Sequence, residues 1–177
     1  MSTLSPIELL RNLDGRAKRL SRPAQAGGVN SWQAMTVLVG EQEMLVPASD
    51  ITEVIDAPHC TRVPGTHEWF LGLGNLRGRV LPITDLSRFL FGMRGFRSAE
   101  HRVLVHGQNE AVIGFSVGEL RALRQFTSEI ESSTASVADS LKPFVKGVAV
   151  QGEQSWPVLS LHAIAASEAF LQVAQEQ

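Results

Sequence analysis

The chain has 177 residues, with 16 Lys+Arg against 18 Asp+Glu and a single cysteine. Its length suits one ordinary domain or two small lobes sharing a core, and 44% hydrophobic with 19% charged residues is globular composition. A formal charge of −2 lacks the basic excess of a nucleic-acid binder, Cys60 cannot form an internal disulfide, and no apolar run approaches the ~18 residues of a membrane span.

In chain order, Ser5-Pro6 opens a predicted amphipathic helix over 4–20, with a capping hydroxyl before proline at the first helical position. Leu10, Leu13, Ala17 and Leu20 form its apolar stripe, and Arg11, Arg16, Lys18 and Arg19 fill the other side. Such a helix packs, stays solvated, or lies on a membrane surface; Glu8 and Asp14 dilute its charge and favour the first two. The N-terminus has no basic region followed by a long apolar core, so no signal peptide is expected, and a cytoplasmic protein is. Ala24–Gly28 reads as a linker, which makes 1–31 an extension.

Strands follow. Thr36–Val39 and Met44–Val46 read as a hairpin, Ile51–Ile55 as a β-branched run, and Thr61–Gly65 as a short strand into a turn. Val80–Thr84 is apolar, and Asp85 caps a helical turn over 86–90. His101–His106 and Ala111–Val117 pair around Gly107–Glu110, and Leu120–Phe126 comes next. The Ser- and Glu-rich stretch 128–140 reads as a mobile connection. Phe144–Val150 and Trp156–Leu159 are the last strands, and a closing helix is predicted over 161–173. Short strands with helices mainly at the ends predict a mainly β barrel or sandwich.

The chain also echoes itself. Gly72, Pro82 and Leu86 recur as Gly147, Pro157 and Leu161, at a constant offset of 75. Gly40, Glu43 and Leu45 are matched by Gly107, Glu110 and Val112, at an offset of 67. Two similar small barrels follow, one from each half, each thin-cored and gaining by packing on the other.

Catalytic chemistry is hard to find. Gly72-Leu73-Gly74-Asn75-Leu76-Arg77-Gly78 is one residue too long for a dinucleotide fingerprint and lies between strands. His59, Cys60 and His67 are the nearest approach to a metal cluster, with no second cysteine. Neighbouring strand residues point to opposite faces, so His59 cannot activate Cys60. His101, His106 and His162 are isolated in sequence. No cofactor is expected. Two charged residues among apolar ones say more: Glu53 alternates with Thr52 and Val54, and Arg77 sits at a turn tip beside Asn75 and Gly78. They are either unremarkable surface charges or a polar feature of a docking site.

The run from Gly72 to Leu86 resembles the N-x-R-G-x-x-x-P-x-x-D-L signature of CheW-domain coupling proteins, and Ile51–Ile55 resembles that family's glutamate-bearing strand. The similarity covers about 32–168, leaving 169–177 as helix end and tail. Thr61–Gly65, Trp69 and the N-terminal extension are most similar to the pilus-type (PilI-like) branch, which serves twitching motility. The resemblance implies two packed five-stranded SH3-like β-barrel lobes and no catalysis. It implies an adaptor between a chemoreceptor's cytoplasmic tip and a chemotaxis-type histidine kinase, without nucleic acid or membrane insertion. It further implies that Glu53 and Arg77 pair and, with Asn75 and Gly78 of the signature, belong to the partner-binding surface. Ile51 and Val54 would face the kinase, and Gly72, Val103 and Leu104 would lie near a receptor groove between the lobes. Gly118 stands where the family often has aspartate. The competing reading is a small enzyme or ligand-binding β-barrel protein using the inter-lobe pocket.

Overall fold

The computed structural model describes residues 31–93, 101–108 and 111–174. The helix predicted over 4–20 and the turn at 109–110 lie outside them. Ten strands carry the described chain: β1 Trp32–Val39, β2 Gln42–Pro47, β3 Glu53–Asp56, β4 Phe70–Leu76, β5 Arg79–Asp85, β6 Arg102–Gln108, β7 Ala111–Val117, β8 Glu119–Phe126, β9 Val145–Gln151 and β10 Gln154–Leu159. Helix α1 (Leu86–Phe91) follows β5, and α2 (Leu161–Ala165) and α3 (Glu168–Leu171) follow β10.

The strands form two five-stranded sheets, ordered β8-β1-β2-β10-β9 and β3-β6-β7-β5-β4. The sequence repeat is therefore real, but the lobes are not its two halves. Each sheet takes the leading hairpin of one repeat and the three trailing strands of the other. Parallel pairs make the exchange: Val158 faces Leu45 between β10 and β2, and Ile83 faces Gly114 between β5 and β7. The expectation of one barrel per half is corrected on this point. Interleaving ties each sheet to both halves, so neither half contains a complete sheet.

Alternation along the central strands sorts side chains into three cores. Ala34, Leu45, Phe126, Ala149, Trp156 and Val158 pack together in the first sheet, and Leu81, Ile83, Val103, Val105 and Val112 in the second. The largest core lies between the sheets and takes Val37, Met44 and Val46 from one and Leu104, Phe115 and Val117 from the other. Strand β6 is thus covered on both faces, which is why its Val-Leu-Val run is continuously apolar. The inter-lobe space is filled by side chains.

The helices fasten the lobes together. Asp85 caps α1, its Oδ1 accepting the Ser87 and Arg88 N–H groups at 2.9 and 3.1 Å. Ser160 caps α2 by accepting the Ala163 N–H at 3.1 Å. The single closing helix predicted over 161–173 is instead two short ones. Ser167 interrupts it and caps α3, accepting from the Phe170 N–H at 3.3 Å. Phe170 then stacks on Trp69, with ring centroids 5.5 Å apart, and both rings meet Phe89 edge-on.

Two other expectations change. The stretch 128–140 is anchored: Val137 and Leu141 are buried in the inter-sheet core, and Glu131 bridges Val148. Thr61–Gly65 forms no strand beyond a bridge between Thr61 and Leu73.

Candidate docking site

The turn joining β4 to β5 is built by its own residues. Asn75 Oδ1 accepts the Gly78 N–H at 2.8 Å, and both central residues are left-handed, Arg77 at φ 52° and Gly78 at φ 84°. That is the hairpin turn whose twist matches the flanking strands. Glycine adopts it freely, whereas an arginine there is strained by roughly 1–2 kcal/mol. Among the described residues, Arg77 is the only non-glycine with positive φ.

Arg77 Nη2 donates to Glu53 Oε2 at 2.7 Å. Glu53 lies on β3, one edge of its sheet, and Arg77 extends from β4, the other edge. The ion pair therefore links one edge strand of the sheet to the turn at its other edge, as a seam. The arginine side chain is 79% exposed and the glutamate 24%. A pair so open to water contributes only ~0.2–1 kcal/mol, which does not outweigh the strain of the turn. Stability alone does not account for Arg77.

Around the seam the surface is apolar. Val54, Leu73 and Val80 are all exposed, Val80 by 65%. Leu73 faces Pro82 and Asn75 faces Val80 across the β4–β5 pair, so these side chains share the outward face, while Gly74 and Leu81 point inward. On β3, alternation turns Val54 outward and Glu53 and Ile55 inward.

Gly72 sits behind this surface at φ 126°, and a Cβ there would lie 2.2 Å from the Thr61 carbonyl oxygen. Only glycine lets the strand approach this closely, which permits reciprocal Thr61–Leu73 bonds of 2.8 and 2.9 Å along the outer edge of β4.

The structure pairs Glu53 with Arg77 on the turn that Asn75 and Gly78 build, and leaves Val54 exposed on the other face of β3. It separates the others. Ile51 precedes β3, half-buried against the inter-sheet core. Val103 and Leu104 are fully buried, one inside the second sheet's core and the other between the sheets. Gly72 is buried too. Val103 and Leu104 thus lie on a strand covered on both faces, with neither side chain exposed on it. Leu73 and Val80 were missed, although alternation with inward Gly72, Gly74 and Leu81 marks both.

Cys60 is half-buried and burial pushes its thiol pKa up, which disfavours the reactive thiolate. His106 and His162, distant in sequence, come together with ring centroids 6.2 Å apart, and His106 Nδ1 donates to the Asp50 carbonyl at 2.6 Å. Among the described residues, no three His, Cys, Asp or Glu side chains are placed to hold a metal ion. Nor is any described helix long and apolar enough to cross a membrane.

The protein is thus two interleaved sheets with packed interiors and an ion-paired seam on the outside of the second. The CheW-like domain pattern matches residues 33–169, and the chain belongs to that family. It is 35% identical over 173 residues to the protein PilI of Pseudomonas aeruginosa, covering 96% of this chain and 97% of that one. It is 28% identical over 158 residues to the chemotaxis protein CheW of Helicobacter pylori, covering 88% and 94%. The fold matches the crystal structure of the scaffolding protein TtCheW from Thermoanaerobacter tengcongensis with a TM-score of 0.67, at 20% identity over 78% of this chain and 94% of that one. The chain is a signalling adaptor.

Proposed function

We propose that this adaptor couples the cytoplasmic tip of a chemoreceptor to a chemotaxis-type histidine kinase in the cytoplasm, with output to type IV pilus twitching motility. The observation that carries the reading is the seam: a strained, exposed Arg77 held to Glu53 amid exposed Val54, Leu73 and Val80. Strain kept where it does not stabilise points to recognition. Similarity to PilI along nearly the whole chain supports the pilus output.

Mechanistically the adaptor works by geometry. The seam face of the second sheet receives the kinase, with Val54, Leu73 and Val80 as apolar contacts and the ion pair fixing the turn that presents them. Ile51, Gly72, Val103 and Leu104 shape the body beneath the docking faces. Each contact is modest, and an array of such contacts gains strength through multivalency.

The test is a titration of kinase regulatory domain with Arg77→Glu, Glu53→Arg and the double reversal. The single reversals are expected to weaken binding about tenfold, which is ~1.4 kcal/mol, and the double to recover part of it. A double reversal no better than the singles rejects the pairing as the basis of docking.

A further inference from the structure

Two histidines that the adaptor reading leaves unused meet where the lobes join. His106 lies on β6 of the second sheet, and His162 lies in the first turn of α2, just after the last strand of the first sheet. Distant in sequence, their ring centroids are 6.2 Å apart. Beside them the short turn Ala48–Asp50 carries the chain from β2 of one sheet to β3 of the other.

The His106 ring is held in one orientation. It lies against Phe115, with centroids 6.4 Å apart, and its Nδ1 is 2.6 Å from the Asp50 carbonyl oxygen. A carbonyl only accepts, so Nδ1 carries the proton and Nε2 of the neutral ring keeps a bare lone pair. A backbone carbonyl fixes the tautomer of a metal-ligating histidine in this same way. Asp50 is itself anchored, since Lys146 Nζ is 3.2 Å from both of its carboxylate oxygens, and the pairing neutralises that lysine. His162 is exposed, so its ring can turn without displacing packed side chains.

A zinc–imidazole bond of about 2.0–2.1 Å sets two rings that share one ion roughly 5–6 Å apart between centroids. The observed spacing is within a small rotation of the His162 ring from that range. We propose that His106 Nε2 and a ring nitrogen of His162 bind a divalent transition ion such as zinc, bridging the two lobes. Imidazole suits zinc, copper and nickel, whereas calcium and magnesium take oxygen ligands. Two imidazoles are fewer than a closed structural site holds, so water completes the coordination and the ion stays exchangeable. The site shares no residue with the Glu53–Arg77 seam and stands whether or not a kinase docks there.

The test is a zinc chloride titration of the untagged full chain with isotope-labelled histidine rings, followed by nitrogen NMR. Before metal is added, His106 is expected to show a protonated Nδ1 and a bare Nε2. Zinc should then shift the His106 and His162 rings together, saturating at a single equivalent. His162→Gln, at an exposed position, should weaken the His106 response roughly tenfold or more, and remove the rise in melting temperature that zinc gives the unaltered chain. Separate titration of the two rings, an unchanged His106 response in His162→Gln, or silence of both rings up to millimolar zinc overturns the proposal. So does a response confined to His59 and Cys60, lost in a Cys60→Ser, His59→Gln chain whose other rings stay silent.

Discussion

The two sheets share a frame and differ at one corner. In both, a glycine on the first strand of the last hairpin meets a passing carbonyl: a Cβ at Gly72 would lie 2.2 Å from Thr61 O, and one at Gly147 2.2 Å from Glu131 O. In both, a proline-bearing strand runs into a capped helix, Pro82 into Asp85 and Pro157 into Ser160. The corner is where they part. The second sheet turns through Arg77-Gly78 and closes onto Glu53. The first turns through Gly152-Glu153, and Glu119, placed in register like Glu53, pairs with Arg121 on its own strand at 3.2 Å. Features present twice are what the fold demands. The corner present once is not something the fold demands.

The hardest way to break this comparison is to replace the shared glycines. Gly72→Ala and Gly147→Ala should each cost about 2–4 kcal/mol, since the new methyl meets backbone that has no side chain to rotate away. Urea unfolding would show both midpoints falling by similar amounts. A large loss at one site and none at the other would mean the two frames are not equivalent.

Exchanging the corners comes next in size. Arg77→Gly relieves the left-handed strain and removes an exposed ion pair worth less than that strain. Its melting temperature should hold or rise while kinase affinity falls several-fold. The converse, Gly152→Arg, imposes the strain at φ 64° with no glutamate paired across that seam, so it should lower stability by ~1 kcal/mol and leave docking unaltered. Loss of stability in Arg77→Gly would turn the seam into an ordinary structural contact.

Much of this frame is legible in sequence because local patterns write it. The β-branched alternation of Ile51–Ile55 places Val54 outward, the Asn-x-x-Gly spacing of 75 and 78 marks the turn, and Asp85 announces its helix. The repeat is visible too, in glycines and prolines at fixed offsets. What it cannot convey is partnership. The pairings of Val158 with Leu45 and Ile83 with Gly114 join residues far apart in the chain, and the same order of elements is compatible with either pairing. The burial of Val103 and Leu104 is illegible for a related reason. A family position near a groove says nothing of which way the side chain points, and here both faces of β6 are covered. Ser167 was readable as a helix cap, and Val137 with Leu141 as a pair of anchors at four-residue spacing. In each case the surrounding composition masked the signal.

The smallest effect tests whether the first sheet's charges serve the fold. Its counterpart to the exposed seam is a closed network. Trp156 Nε1–H donates to Glu43 at 3.1 Å, Arg121 pairs with the same carboxylate, and the Arg124 guanidinium lies 4.5 Å over the Trp156 ring. The Trp156 hydrogen bond, helped by Arg121, holds the Glu43 carboxyl below its ordinary pKa, partly opposed by burial. A carboxylate whose pKa is lower folded than unfolded stabilises at neutral pH, and loses that contribution as the pH falls through the folded value. Glu43→Gln should therefore melt ~2 °C lower at neutral pH, and the gap should close on acidification. Kinase affinity should not change. A Glu43→Gln protein that keeps its melting temperature but loses the kinase would move the docking function to the first sheet and reverse the assignment of the two lobes.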